Sequence, residues 1–345
     1  MIGAGAVGGT IGARLAQAGV PVALVARGAH GRAMAADGLL LRTPHGDARV
    51  RPPVWLSASE AEVTTGDVLV MATKTQHLAE ALAEWADVPV RGSSRALTAG
   101  ERLPVVLATN GVAGEAMAAR WFRRVFGLCV WSPCVQLVPG EVIARFTPAS
   151  GVYHVGRVPA GLTDDADRDL VAGLAADWTA SGLVVHTPDD VMPWKYRKLL
   201  SNLGNVVQAL LGTGGRTEVL QAAVSEAREV LAAAGIVVTD DATEAVVRAA
   251  GPTVGAVPGA PADLGGSTWQ SLARGSGSVE TDFLNGEIVR IAHAVGRTAP
   301  VNEVLARLGR EAARLGRRPG DLSPAQLEAA VAARLGIGTE ASRPR

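Results

Sequence analysis

The 345-residue sequence has little cysteine: Cys129 and Cys134 are its only two. Two thiols cannot make the dense disulfide framework of a small secreted domain, and no histidine cluster stands beside them to complete a zinc site. The six histidines, His30, His45, His77, His154, His186 and His293, show no paired ligand spacing, so no metal is expected. Charge of one sign is also lacking. Lys plus Arg and Asp plus Glu both total 33, and no long run breaks the balance, which disfavours a broad nucleic-acid or anionic-membrane surface. No charge-free apolar run reaches the roughly 18 residues that a membrane span needs. The apolar N-terminus lacks the basic segment of a secretory leader, and the expected setting is reducing and cytoplasmic. There is no internal repeat and no GxSxG nucleophile elbow. The seven tryptophans are scattered, as core residues would be.

What is present is a globular composition, 48% hydrophobic and 19% charged, long enough for two domains. The first half alternates short β-rich apolar runs with helical patterns, the signature of parallel βαβ units. Residues 22–26, 67–73 and 103–109 read as buried strands, with helices over 11–18 and 77–85. Short β-like segments follow at 141–147 and 152–155, then a helix near 164–180 and a closing strand at 184–186. From Asp189 onward the β-rich runs vanish and the chain reads as entirely helical, broken by glycine and proline. Residues 251–266, rich in Gly, Ala and Pro, read as a long loop or lid. Residues 339–345 read as a frayed tail. The expected domains are 1–187, binding dinucleotide, and 188–345, carrying substrate and catalytic residues.

Gly3, Gly5 and Gly8, with Ala4, Ala6 and Val7 between them, form a GxGxxG motif running directly into a helical pattern. In such a motif the first glycine makes a tight turn, the second lets backbone approach a pyrophosphate, and the third lets helix pack on strand. The phosphates sit at a helix N-terminus, where unpaired N–H groups and the helix dipole favour anions. At the end of the next strand, where an NAD enzyme places an acid for the ribose hydroxyls, this chain has Arg27. A guanidinium binds a 2′-phosphate that an acid would repel, so NADP is the expected cofactor. Arg32 is a weaker helper. Only Met1 and Ile2 precede the first glycine, too few for the central strand of such a fold. The expectation is a start lying upstream of Met1, or else a gap in the sheet.

With the glycine motif, several segments resemble the ketopantoate reductase family: Arg27, Lys74-Thr75-Gln76, Asn110-Gly111, Lys198 with Asn202, and Glu280-Thr281-Asp282 followed by Asn285-Gly286. They keep the family's order over residues 3–286. The resemblance implies an α/β fold: an N-terminal Rossmann-type dinucleotide-binding domain plus an all-α C-terminal domain like that of 6-phosphogluconate dehydrogenase. It further implies that Lys198 is the general acid, that Asn110 and Glu280 meet the cofactor and reaction centre, and that Lys74 lies near the nicotinamide. Asn202 contacts substrate, and a serine or threonine near Ser267 or Thr268 binds its carboxylate. Which of those two hydroxyls is equivalent stays open. The usual second asparagine is shifted to Asn205, because position 206 is valine.

On one continuous helix Lys198, Asn202 and Asn205 fall within about 60° of each other, opposite Leu199, Leu203, Val206 and Leu210. Asparagine is a poor helix former, so this face suggests a polar cleft wall and not merely a wet surface. Asp189 or Asp190 is the expected N-cap of that helix, and Lys195 is expected to be surface charge. Glu280 is expected within a largely apolar helix, where a carboxylate needs a partner. The expected activity is NADPH-dependent reduction of a small 2-keto acid, foremost 2-dehydropantoate, in pantothenate biosynthesis, with substrate in the cleft between domains. Two alternatives remain: a related NADP-dependent 2-keto or 3-hydroxy acid dehydrogenase, and a non-catalytic NADPH-binding regulator. No nucleic-acid or membrane partner is expected, and a homodimer stays open.

Overall fold

The computed structural model describes residues 1–92, 96–215 and 217–336; the expected tail lies outside them. The chain divides into two compact units. One comprises Met1–Lys198 with Val238–Ala262, the other Leu199–Val237 with the residues from Asp263 onward.

The first unit is built on a mostly parallel sheet. Leu69–Met71, Pro104–Leu107 and Arg124–Trp131 pair in parallel, in that order. Val152–Arg157 then pairs antiparallel with Arg124–Trp131 and parallel with Val184–His186. The strands expected from apolar runs are present because their residues are buried on both faces, as in Leu69, Val70 and Met71 or Val105, Val106 and Leu107. Beyond Leu69–Met71, Ile2 bridges both Met71 and Val25, and Leu24–Val25 pairs with Val54–Trp55.

Beside the glycine turn there is no gap, because Met1 and Ile2 stand between the strands on either side. Ile2 donates to the Val70 carbonyl at 2.8 Å and its own carbonyl accepts from Ala72 at 2.7 Å. On the other side Val25 donates to the Met1 carbonyl at 2.8 Å.

Helices Ala6–Gln17 and Asp165–Ala180 pack on one face through Ile11, Leu15 and Trp178, which meet Val106, Phe126 and Tyr153. Leu78–Ala86 packs elsewhere on the sheet through Leu78, Leu82 and Trp85. A second, four-stranded sheet joins the hairpin Leu39–Thr43 and Gly46–Val50 to Glu141–Ala144 and Cys134–Val135. Residues 238–262 group with this unit, and one expectation fails there. Thr253–Val254 is a short strand antiparallel to Phe146–Thr147, and Gly255 donates to the Arg145 carbonyl at 2.7 Å. The glycine- and proline-rich segment is thus partly pinned to the first unit, not wholly a loop or lid, and β-structure does not end at Asp189.

The second unit is helical throughout its described residues. Its core joins Val206 and Leu210 to Val301, Val304 and Leu305. Asn285 Nδ2 donates to Asn302 Oδ1 at 3.0 Å, and Glu226 accepts from the backbone N–H groups of Val301 and Asn302, which opens the Pro300–Arg314 helix. That carboxylate satisfies two of the N–H groups a helix start leaves orphaned.

An aromatic stack fastens the helix Met192–Asn202 to the first unit's sheet. The ring of His154, on the strand Val152–Arg157, stacks on Trp194 at 4.0 Å between centroids and on His186 at 4.8 Å. Trp131 meets both His154 and Trp194 edge-on. His154 is 1% exposed, and among the described residues neither ring nitrogen has a hydrogen-bond partner. Burial, with His186 nearby, pushes its pKa down to about 3.

Since the unfolded chain protonates near 6.5 and the native ring near 3, the unfolded state holds more protons in between. This contribution to stability is complete above pH 6.5 and is lost as the pH falls toward 3, at about 1.4 kcal/mol per pH unit. Urea unfolding across that range should show wild type losing stability more steeply than His154→Phe, which keeps a ring without a titrating proton. Equal slopes would contradict the assignment.

Candidate active site

The glycine turn stands at the C-terminal edge of the parallel strands. Gly3 has φ +88°, and a Cβ there would lie 2.8 Å from the Thr73 amide nitrogen, so the turn admits glycine alone. A Cβ on Gly8 would lie 2.4 Å from the Gly3 carbonyl oxygen, the close helix-on-strand approach expected of the third glycine. Gly5 differs: nothing stands within 4 Å of the position its Cβ would take. The backbone there faces open space, at the N-cap of a twelve-residue helix with no side-chain cap and no acid in its first turn. Unpaired N–H groups, dipole and room coincide, and the residues fit a dinucleotide pyrophosphate.

Arg27 is exposed at the N-cap of helix Gly28–Asp37, directly after the strand Leu24–Val25, where a ribose phosphate can be reached. Arg32 is exposed on the same helix. One turn beyond Arg27, His30 accepts at Nδ1 from the Gly140 N–H at 2.9 Å. Nε2 therefore carries the proton and donates to the Ala4 carbonyl, inside the motif, at 2.8 Å. Burial lowers the His30 pKa, with the Ala4 bond opposing it, which favours this neutral form. The residue was not foreseen. Its three-residue spacing from Arg27 was the signal available.

Lys74 is half-buried just after the strand Leu69–Met71, at the N-cap of a short 3₁₀ turn, Thr75–His77. Thr75 Oγ1 donates to the Asn110 carbonyl at 3.3 Å, so the Lys74 and Asn110 segments are brought together past the ends of neighbouring parallel strands. Gly111, φ +77°, carries the chain onward.

The helix Met192–Asn202 presents Lys198. Asp190 Oδ1 accepts from the Met192 N–H at 2.9 Å at its start, but the cap position itself is Val191, whose carbonyl accepts from Lys195, and not either expected aspartate. Arg197 pairs with Asp241 at 2.9 Å and with Glu244, tying this helix to Asp241–Ala249. The Lys198 side chain is half-buried beside Cys129, Glu244 and Arg248, without a carboxylate in ion-pair range among the described residues. Burial lowers its pKa below the usual lysine value; the nearby Cys129 and Glu244 raise it, and Arg248 lowers it further. Cys129 itself is a buried free thiol pushed up to about 12, donating to the Trp194 carbonyl at 3.4 Å.

Lys195 corrects an expectation. It is 2% exposed, not surface charge: its ammonium pairs with Glu115, also 2% exposed, and donates to the Thr109 carbonyl at 3.4 Å. Glu115 stands in the helix Gly114–Ala118, just past Asn110. With its charge answered there, Lys195 is held in place.

The expected continuous helix through Asn205 also needs correction. It ends at Asn202, and a new helix, Gly204–Leu211, follows Leu203, because Gly204 weakens the helix interior. The apolar arc behaves as expected: Leu199, Leu203, Val206 and Leu210 are all buried. Asn202 is buried and Asn205 half-buried. In the second unit a Cβ on Gly266 would lie 3.3 Å from Asn205 Oδ1, which places Asn205 beside the start of helix Ser267–Ala273. Thr268 is fully buried there and Ser267 only half-buried. Glu280 is 2% exposed, in a 3₁₀ turn, Glu280–Phe283, and not within a helix; the α-helix begins at Asn285.

Comparison with known proteins follows this geometry. The family profile described as ketopantoate reductase PanE/ApbA matches residues 1–159, and its C-terminal counterpart matches residues 190–313. A 2-dehydropantoate 2-reductase from Mesorhizobium japonicum is 31% identical over 221 residues, 62% of this chain and 67% of that protein. A crystal structure of a PanE/ApbA family ketopantoate reductase from Ralstonia eutropha is 28% identical with TM-score 0.71, covering 91% of this chain and 98% of the other. D-mandelate dehydrogenase with NADH and anilino(oxo)acetate shares the fold, at 21% identity, TM-score 0.71 and coverage of 91% and 97%.

The glycine turn yields a paired prediction. Gly3→Ala should lower stability by about 2–3 kcal/mol through its positive φ and clash. Gly5→Ala should leave stability within about 0.5 kcal/mol yet weaken the thermal shift produced by added dinucleotide. Thermal unfolding with and without dinucleotide checks both, and an unchanged shift in Gly5→Ala would contradict the phosphate site.

Proposed function

The chain belongs to the ketopantoate reductase family, and we propose that it reduces 2-dehydropantoate to pantoate with NADPH, using Lys198 as general acid. The observation that carries the residue assignment is the contrast between the two lysines of one helix: Lys195 is paired with Glu115, while Lys198 is half-buried, without an ion-paired carboxylate among the described residues, and lowered in pKa. An ammonium whose pKa lies below the usual lysine value gives up its proton more readily, which suits donation to a forming alkoxide. The reaction acts on a CH–OH/C=O couple, and bound NADPH supplies the hydride.

In this reading the backbone at Gly3–Gly8 binds the pyrophosphate, and Arg27 holds the 2′-phosphate. Lys74 and Asn110, past adjoining strand ends, orient the nicotinamide and the carbonyl. As hydride reaches the ketone carbon, charge grows on oxygen; the Lys198 ammonium stabilises it and delivers the proton. Asn202, Asn205 and Glu280 are assigned to substrate and reaction centre by the family's pattern. Ser267, less buried than Thr268, is assigned the substrate carboxylate. The setting is proposed as cytoplasmic, in keeping with free buried thiols; no described helix is long and apolar enough to cross a membrane.

Lys198→Ala should reduce kcat by about 10²–10⁴-fold while leaving NADPH affinity nearly intact. Following NADPH oxidation with 2-dehydropantoate and a panel of branched and aromatic 2-keto acids tests acid and substrate together, and an undiminished rate in the variant would remove the assignment. For reduction the acid must be protonated, so kcat/KM should fall as pH rises through the Lys198 pKa, at a pH below that of an ordinary lysine. Arg27→Ala should weaken NADPH by about tenfold or more and leave NADH unaffected; equal losses for both would contradict the 2′-phosphate role.

A further inference from the structure

The buried Lys195–Glu115 pair stands outside the chemistry proposed above, yet it joins the two segments that the chemistry uses. We infer that Lys195 is a positioning residue, which fixes Asn110 against the helix that presents Lys198. The inference rests on the roles proposed for Lys198 and Asn110.

Lys195 precedes Lys198 by three residues, so the two lie on one helix face about one turn apart. Its ammonium reaches across to Glu115 and to the carbonyl of Thr109, the residue before Asn110. Asn110 is also held from the other side, its own carbonyl accepting from Thr75 Oγ1 at 3.3 Å. The segment Thr109–Asn110 is therefore bonded both to the Lys74 turn and to the lysine helix. Glu115 has little freedom to yield, since a Cβ on Gly127 of the sheet would lie only 3.2 Å from its Oε1. A buried pair walled by backbone is a rigid spacer, and removing one member leaves an uncompensated charge. As an anchor for packing alone, an apolar pair of similar size would serve as well. The donation to the Thr109 carbonyl, which no apolar side chain makes, points instead to register between Asn110 and Lys198. Displacements of about 1 Å at a reacting centre lower turnover by up to about 10²-fold.

The test separates register from stability. Lys195→Met alone leaves Glu115 charged and buried, and should unfold at markedly lower temperature. Lys195→Met/Glu115→Leu removes both charges and should recover most of the thermal stability. With saturating NADPH and 2-dehydropantoate, the double variant should still show kcat lowered about 10–100-fold, with KM for NADPH within about twofold of wild type. A stable double variant with wild-type kcat would overturn the inference. If the double variant does not fold, Glu115→Gln, nearly isosteric, decides: kcat lowered about tenfold at unchanged KM supports register, and wild-type kcat overturns it. Lys198→Ala measured alongside keeps the two readings apart. If it too is fully active, the general-acid assignment has failed, and if it alone is inactive, only the positioning role has.

Discussion

The arrangement depends on how one helix is fastened to one sheet. Trp194 stacks on His154 of the strand Val152–Arg157, Cys129 donates to the Trp194 carbonyl, and Lys195 pairs with Glu115 beyond the end of Pro104–Leu107. These are different kinds of contact: ring stacking, a weak sulfur hydrogen bond and a buried ion pair. Together they set the height and rotation of the Met192–Asn202 helix. Lys198 then falls where burial lowers its pKa, with Glu244 nearby but no carboxylate in ion-pair range among the described residues. Were the helix rolled outward by a third of a turn, Lys198 would be an ordinary solvated lysine without that lowering.

The dinucleotide half obeys a second constraint, that of close approach. Gly3 and Gly8 are required by backbone and Cβ atoms of the protein itself, whereas Gly5 is required by nothing within the protein. A position kept bare beside an uncapped helix start, with His30 bonding the Ala4 carbonyl from behind, is preorganised for an anion. In the proposed reading, exposed Arg27 past the next strand extends that preference to a second phosphate. In the proposed function, cofactor choice and turn geometry both belong to the first thirty residues, while the proposed acid, Lys198, stands on a helix almost two hundred residues later.

Much of this was legible in the sequence. Apolar runs such as Leu69–Met71 and Pro104–Leu107 signal strands buried on both faces, and the arc of Leu199, Leu203, Val206 and Leu210 marks a buried helix side. The hairpin Leu39–Thr43 and Gly46–Val50 was not expected: it buries Leu39, Leu41 and Thr43 in alternation, but Leu40 between them masks that period in the sequence. Other features were invisible for a physical reason. Lys195 reads as surface charge because the carboxylate that makes its burial tolerable is 80 residues away, and no local pattern encodes a long-range ion pair. The break at Leu203 was nearer to legible, since Gly204 stands in plain view. The strand Thr253–Val254 was hidden because two residues among glycines and prolines show no period at all.

The central claim is that Lys198, and not Lys195, delivers the proton. A crystal structure of the chain with NADP⁺ and an unreactive analogue of 2-dehydropantoate tests it most directly. The expected result is the Lys198 ammonium within about 3 Å of the oxygen that becomes the hydroxyl, with Lys195 still bound to Glu115. Lys198 turned away from that oxygen, or Lys195 released from Glu115 and in its place, would contradict the mechanism.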